Sequence, residues 1–173
     1  MTLPDLVPYG WTDRWAALFA AATDDPPRPR AEPGRVLRHD GAGLLVALPG
    51  GPRALPLARP VDPPPTVGDW LVVDDGVPIA VLDRTSLLSR RAAGGDTQQL
   101  LAANVDLVLI VCGLDRPVKA GRIDRVVTLA WDAGAVPAVV LAKADLVAGV
   151  DERVAATAAA HPGVDVLATS VAT

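Results

Sequence analysis

Three hydrophobic patterns succeed one another along the chain. Near the start, Trp15, Leu18 and Phe19 recur at helical spacing, which predicts a short amphipathic helix. Between residues 34 and 88, short apolar runs alternate with clusters of Gly, Pro and Asp, which predicts strands joined by tight turns. After residue 98, longer apolar runs alternate with helical patterns, and this alternation is typical of α/β architecture.

The middle segment predicts a small β barrel. Its strand candidates are Val36–His39, Gly43–Leu48, Arg53–Leu57, Trp70–Val73 and Pro78–Asp83. Short strands that follow one another so closely in the sequence favour a closed barrel, with the OB-fold as the first candidate and an SH3-like barrel as the alternative. We expect this barrel to span residues 34–95, after an N-terminal helix and a proline-rich linker that together occupy residues 1–33.

The last segment, residues 96–173, predicts alternating strands and helices. Strands are expected at Val105–Cys112, Val136–Leu141 and Val164–Ala168, and helices at Gly121–Gly134 and Val150–His161. This order predicts a parallel sheet with right-handed crossovers, and the continuous apolar run of the first strand predicts burial on both faces. Since the chain stops in a loop just past a strand, we expect the domain to continue beyond Thr173.

Composition and charge exclude several classes of protein. Half of the 173 residues are apolar, yet none of the apolar runs reaches the ~18 residues that span a membrane. Met1–Tyr9 lacks the basic and apolar blocks of a secretory signal. Cys112 is the only cysteine, and His39 and His161 lie far apart, so we expect no disulfide and no metal site. These features predict a cytoplasmic protein, and the net charge of −4 argues against strong non-specific binding to nucleic acid.

Candidate chemistry lies where the predicted strands end. Ligands of parallel sheets bind beyond the carboxyl ends of the strands, which is where Lys143, Asp145 and Ser170 lie in the sequence. The Asp145 carboxylate can accept from the two adjacent donors of guanine, which adenine lacks, while the Lys143 stem can lie along the base. The backbone at Ser170–Val171 can donate to guanine O6. These residues predict a guanine-binding site; the alternative is that Asp145 only caps a turn.

The chain has no phosphate-binding loop of the usual kind. Its two lysines, Lys119 and Lys143, do not follow a glycine, so the pattern Gly-x-x-x-x-Gly-Lys-Ser/Thr is absent from the sequence. Either the guanine-binding pattern is a coincidence, or the protein is a circularly permuted GTPase whose phosphate-binding half follows Thr173.

Arginine residues provide a candidate contact with RNA. Arg84, Arg90 and Arg91 cluster near the end of the predicted barrel, although a solvated arginine surface is the alternative. OB-folds usually stack bases on aromatic side chains, and Trp70 is the aromatic residue of this barrel. We expect Trp70 to be a core residue rather than a stacking platform.

The whole chain resembles one family, the ribosome small-subunit-dependent GTPase A proteins, which are circularly permuted GTPases. The resemblance is carried by Gly68-Asp69-Trp70, Gln99-Leu100-Leu101-Ala102-Ala103-Asn104-Val105-Asp106, Arg122-Ile123-Asp124-Arg125 and Val139-Val140-Leu141-Ala142-Lys143-Ala144-Asp145-Leu146. It implies an OB-fold barrel followed by the first part of a permuted P-loop-type GTPase domain with a parallel sheet. It also implies GTP hydrolysis to GDP and phosphate during late assembly of the small (30S) ribosomal subunit.

The resemblance assigns roles to particular residues. Ala142, Lys143, Asp145, Ser170 and Val171 correspond to the guanine-binding positions. The catalytic residues and the ligands of Mg²⁺ and of a structural Zn²⁺ are implied to lie after Thr173, so the chain alone is expected to be inactive. The implied partners are the small ribosomal subunit and its rRNA, with the protein as a monomer away from membranes.

One departure from the family pattern bears on affinity. The family usually has Asn or Thr where this chain has Ala142, and a methyl group cannot make the corresponding hydrogen bond. One lost hydrogen bond costs about 0.5–1.5 kcal/mol, or roughly three- to ten-fold in affinity. This departure keeps a second interpretation open, a non-enzymatic OB-fold module that binds RNA or the ribosome and carries a degenerate α/β appendage.

Overall fold

The structure, a computed structural model, describes residues 3–91 and 98–171. The chain divides into two compact units, one formed by residues 1–87 and 91–104 and the other by residues 88–90 and 105–173. The predicted boundary between residues 95 and 96 lies outside the described residues, so the division into 1–33, 34–95 and 96–173 stays a prediction.

The predicted N-terminal helix is confirmed and forms part of the core of the first unit. A 3₁₀ helix spans Pro4–Tyr9, and the first α-helix, α1, spans Asp13–Asp24. Trp15 and Phe19 lie one turn apart and are buried, because they pack against Trp11 and Trp70. The ring of Trp11 meets that of Trp70 edge-on, with 4.9 Å between the ring centroids. Trp70 is therefore a core residue, as predicted.

The five predicted strands form one antiparallel sheet. They are β1 (Ala31–His39), β2 (Gly43–Leu48), β3 (Gly51–Pro56), β4 (Trp70–Asp74) and β5 (Val77–Val81), in the order β3-β2-β1-β4-β5. Among the described residues this sheet is open, with β3 and β5 at its edges, so it is not a closed barrel. Strand β1 begins at Ala31, five residues before the predicted strand, and Pro33 and Gly34 are buried opposite Val72 and Leu71.

Burial on both faces explains the hydrophobic runs of the sheet. Trp70 and Val72 point toward the N-terminal helices, whereas Leu71 and Val73 point into a second cluster on the other face. Successive residues of a strand point to opposite faces, so a central strand covered on both sides is apolar throughout. All four of these β4 side chains are fully buried.

Gly68 is a position where the fold requires glycine. Its φ is +89°, and a Cβ there would overlap the backbone carbonyl oxygen of Ala103. Gly50 has the same φ of +89°, but a Cβ there would meet nothing within 4 Å. We expect Gly68→Ala to cost about 1–3 kcal/mol more unfolding free energy than Gly50→Ala, because only the former adds a steric clash to the backbone strain.

Urea unfolding followed by tryptophan fluorescence measures this difference in the 173-residue chain. Trp11, Trp15 and Trp70 are buried in the first unit, so the signal reports mainly on that unit. Equal unfolding free energies for the two alanine variants would show that the loop at Gly68 can move away from Ala103.

The second unit is built on a parallel sheet, as predicted. Strands β6 (Leu87–Arg91) and β7 (Gln98–Ala103) form a separate two-stranded sheet, and β7 belongs to the first unit. The α/β elements after them are β8 (Leu107–Gly113), α2 (Ala120–Asp132), β9 (Val136–Ala142), α3 (Val150–Ala160) and β10 (Asp165–Thr169). Strands β8, β9 and β10 are parallel in the order β10-β9-β8, with β9 in the centre.

The prediction that β8 is covered on both faces is wrong for this chain. Leu107, Leu109 and Val111 are between 51% and 59% exposed, whereas Ile110 between them is buried. Both crossovers run in the same direction across the sheet, so right-handedness places α2 and α3 on the same face. The other face of the described sheet carries exposed apolar side chains. In the described part of the chain, none of the helices has the length and apolar character needed to cross a membrane.

Candidate functional site

The carboxyl ends of the three parallel strands lie side by side. Gly113, Ala142 and Thr169 are aligned across β8, β9 and β10 by the register of the sheet. The residues just beyond them are therefore neighbours at one edge, and the Leu114 amide donates to the Ala142 carbonyl at 2.9 Å. Lys143 and Ser170 come directly after β9 and β10, so the sheet brings together the two loops that the sequence singled out.

Asp145 lies on a 3₁₀ turn, Ala144–Leu146, immediately beyond β9. Its side chain is exposed, and the Ser170 hydroxyl donates a hydrogen bond to its Oδ1. Each carboxylate oxygen has two lone pairs, so this bond leaves acceptor capacity on both oxygens. The bond fixes the carboxylate at the edge of the sheet and links the β9 loop to the β10 loop. Val171, the next residue, is fully exposed.

Lys143 has a left-handed backbone conformation. Its φ is +62°, a region that costs a residue with a side chain about 1–2 kcal/mol and that recurs at functional sites. The conformation turns the chain sharply from β9 into the Asp145 turn, and the Leu146 amide closes the turn by donating to the Lys143 carbonyl at 3.1 Å. The sequence pattern contained no sign of this strain.

Asp115 holds the Lys143 side chain. Lys143 Nζ donates to Asp115 Oδ2 at 2.8 Å, and this bond is the main reason that the pKa of Asp115 lies below its usual value. The positive charges of Lys143 and Arg116 lower the pKa further. Asp115 therefore stays ionised at neutral pH and fixes the direction of the lysine stem. Asp115, which lies in the loop after β8, was not among the site residues predicted from the sequence.

A cavity of about 360 Å³ opens beside this ion pair. Its walls come from the ends of β8 and β9 and from the loop that leads into α2. The lining includes Gly113, Asp115, Arg116, Lys119, Ala142 and Lys143. Asp145, Ser170 and Val171 do not line the cavity. The predicted site residues thus fall into two groups at one edge, with Ala142 and Lys143 at the cavity and Asp145 bonded to Ser170 beyond it.

Arg84, predicted as an RNA contact, is instead part of a buried ion pair. Its Nε and Nη2 donate to the two carboxylate oxygens of Asp69 at 2.8 and 2.7 Å, and Nη2 also donates to the Pro64 carbonyl. The Asp69 side chain is 0% exposed and that of Arg84 is 13% exposed. The bond to Asp69 raises the pKa of Arg84 above its already high value. The guanidinium therefore contributes to the fold of the first unit, and RNA contact by Arg84 stays a prediction.

The other two residues that were predicted to contact RNA also lie in the described part of the chain. Arg90 and Arg91 lie at the end of β6 and are exposed. Within residues 3–91 and 98–171, there is no cluster of three or more metal-ligating side chains. None of the described residues is therefore assigned to the Mg²⁺ or the Zn²⁺ that the family resemblance implies.

The chain is similar to one family model and to several known proteins. Residues 81–173 match the model of the RsgA GTPase family. The small ribosomal subunit biogenesis GTPase RsgA of Streptomyces avermitilis is 38% identical over 95% of this chain and 47% of its own length. The small ribosomal subunit biogenesis GTPase RsgA 2 of Vibrio parahaemolyticus is 43% identical over 68% of this chain and 33% of its own length.

A solved structure has the same fold. The crystal structure of YjeQ from Thermotoga maritima matches 81% of this chain and 52% of its own chain, with a TM-score of 0.57 and 20% identity. The chain spans between a third and a half of the length of these two curated relatives. Because the family model covers more than half of the sequence and a relative is similar over nearly all of it, this chain belongs to the RsgA GTPase family.

Proposed function

We propose that this chain is the N-terminal portion of a cytoplasmic GTPase that hydrolyses GTP to GDP and phosphate and acts in assembly of the small ribosomal subunit. The observation that carries the proposal is the pairing of Asp145 with Ser170 at the carboxyl edge of a parallel sheet. The names of the relatives, small ribosomal subunit biogenesis GTPases, support the biological role.

Each residue at this edge has a proposed task in guanine recognition. The Asp145 carboxylate accepts from guanine N1–H and the 2-amino group, and the bond from Ser170 keeps it in place. The Lys143 stem lies along the face of the base while Asp115 holds its ammonium group at 2.8 Å. The backbone at Ser170 and Val171 donates to guanine O6. Ala142 contributes no side-chain hydrogen bond, so we expect a moderately weaker site than one with Asn or Thr.

The location of the remaining functional parts of the protein is also a proposal. Phosphoryl transfer needs a phosphate-binding loop, Mg²⁺ and a positioned water. The loop pattern is absent from residues 1–173, so we assign these parts, and the Zn²⁺ ligands, to sequence outside this chain. We propose that the five-stranded sheet of the first unit represents the OB-fold, that the domains divide at residues 33 and 95, and that the protein is a monomer.

The 173-residue chain alone should recognise guanine nucleotides only weakly. We expect millimolar affinity for GDP at best and no GTP turnover, because the base-binding loops lack the phosphate contacts that supply most of the affinity in such sites. Isothermal titration calorimetry with GDP, with ADP as the control nucleotide, measures the affinity, and phosphate release measures turnover. Micromolar GDP binding by this chain would contradict the proposed division of the site.

One observation favours a second candidate function. The methyl group of Ala142 stands where the family resemblance implies a hydrogen-bonding Asn or Thr, and a missing hydrogen bond is expected of a non-enzymatic RNA- or ribosome-binding module. The two functions predict different gene sequences beyond the codon for Thr173. A strand and a Gly-Lys-Ser/Thr loop shortly after that residue support the GTPase, whereas a stop codon without such a loop supports the binding module.

A further inference from the structure

The beginning of α2 carries a row of three cations. Lys119, Arg122 and Arg125 recur every three residues and are exposed. Within residues 3–91 and 98–171, none of the described ion pairs or side-chain hydrogen bonds involves these three cations. We call these residues the α2 basic row. Together with Gly121 they line a surface concavity of about 350 Å³.

The acidic residues next to the row in the sequence, Asp115 and Asp124, are engaged elsewhere. Asp115 accepts a hydrogen bond from Lys143 at 2.8 Å, and Arg116 lies 3.6 Å from the same carboxylate. Asp124, which is next to Arg125 in the sequence, is directed toward His161, with 3.2 Å between its Oδ1 and the imidazole Nε2. The α2 basic row therefore keeps its positive charge locally, although the chain as a whole has a net charge of −4.

Helix stability does not explain this arrangement. Residues three apart lie close together on a helix surface, so Arg122 and Arg125 repel each other and weaken α2. Gly121 adds a further cost, because glycine is a poorer helix former than alanine and a Cβ there would meet nothing within 4 Å. A row of like charges around an uncovered glycine is consistent with contact to an external anion.

We propose that the α2 basic row is an RNA-binding surface that contacts backbone phosphates. Guanidinium groups bond two phosphate oxygens at once, and Gly121 lets a backbone approach closely. Three of the four residues that line this concavity carry a positive charge, so the complementary partner is a polyanion. The choice of RNA as the polyanion rests on the proposed ribosomal function.

Fluorescence anisotropy with a labelled RNA hairpin tests the proposal in the 173-residue chain without nucleotide. The variant Lys119→Gln/Arg122→Gln/Arg125→Gln should bind at least about tenfold more weakly at low salt. Its slope of log affinity against log salt concentration should be smaller by about 2, since each lost phosphate contact removes about 0.7–0.9. Each single substitution should remove about one third of that change. These single variants serve as the test if the triple variant does not fold.

A matched control separates a local site from general charge. The variant Arg14→Gln/Arg59→Gln/Arg153→Gln removes the same net charge from exposed positions, and its salt slope should match that of the unaltered chain. Equal losses in the two triple variants would overturn the proposal, as would no RNA binding by the unaltered chain. A poly-glutamate peptide that displaces the RNA with equal affinity would indicate an acidic protein partner instead. Because the assay contains no nucleotide, its failure leaves guanine recognition by Asp145 unaffected.

Discussion

Asp145→Asn in the full-length protein is expected to weaken GTP binding by about 10²- to 10⁴-fold and to create a preference for xanthine nucleotides. In the proposed site the carboxylate accepts two hydrogen bonds from guanine. The amide of Asn keeps an acceptor for N1–H, but its N–H group faces the 2-amino group, so one bond to a charged acceptor, worth roughly 1.5–3 kcal/mol, is lost and a guanine donor is left unpaired at a further cost of about 1–3 kcal/mol. The sum of about 2.5–6 kcal/mol corresponds to that range of affinity. An amide can donate to the second carbonyl oxygen of xanthine, where guanine has an amino group, so xanthosine triphosphate gains what GTP loses.

Competition between fluorescent GDP and unlabelled nucleotides measures both changes. Asp132→Asn is the matched control, because Asp132 is an exposed aspartate at the end of α2. This control should leave the affinity for both nucleotides unchanged. Unchanged GTP affinity in Asp145→Asn would remove Asp145 from the site and would leave the Ser170 bond as a purely structural link.

The order of elements in the second unit was predictable because each one results from local periodicity. β8 and β9 are apolar runs of strand length, and α2 between them has buried residues at helical spacing. The exposure of Leu107 and Val111 was not predictable in this way. An apolar run shows that a strand can be buried on both faces, but only the positions of its neighbours determine which face is covered.

The first unit shows the same division between local and non-local information. Turn residues located all five strands to within a few residues, since Gly and Pro restrict where a strand can continue. Closure of a barrel requires pairing between β3 and β5, which are distant in the sequence. Local sequence patterns do not indicate whether such distant strands pair. Pro33 misled the prediction of β1, because proline is more common in linkers than in a strand.

Candidate site residues could be predicted from the sequence only where they come directly after a strand. Lys143 and Asp145 were found because they lie immediately beyond β9. Asp115 was missed because its partner, Lys143, lies 28 residues further along the chain. The ion pair of Arg84 was not predicted for a similar reason. Nothing local to Arg84 reveals that Asp69, 15 residues earlier, is buried and needs a cation.

Arg84→Met is expected to destabilise the first unit by about 3–5 kcal/mol, because it leaves the buried Asp69 carboxylate without its counter-charge. Arg84 donates to both carboxylate oxygens, and Asp69 Oδ2 also accepts from the Thr66 amide at 2.7 Å. Methionine preserves most of the side-chain volume, so the loss reports on charge and hydrogen bonding rather than on a cavity. Urea unfolding followed by tryptophan fluorescence measures it.

Arg38→Met is the control that separates the effect of burial from the effect of losing an ion pair. Arg38 also bonds both oxygens of an aspartate, Asp40, but this pair is exposed, with side chains 65% and 53% accessible. Solvent screens such pairs, so Arg38→Met should change stability little. Adding Asp69→Asn to the Arg84→Met variant should restore part of the lost stability, because the double variant no longer has an uncompensated charge. If Arg84→Met and Arg38→Met unfold at the same urea concentration, Asp69 is solvated in the folded protein, and Arg84 becomes available again as an RNA contact.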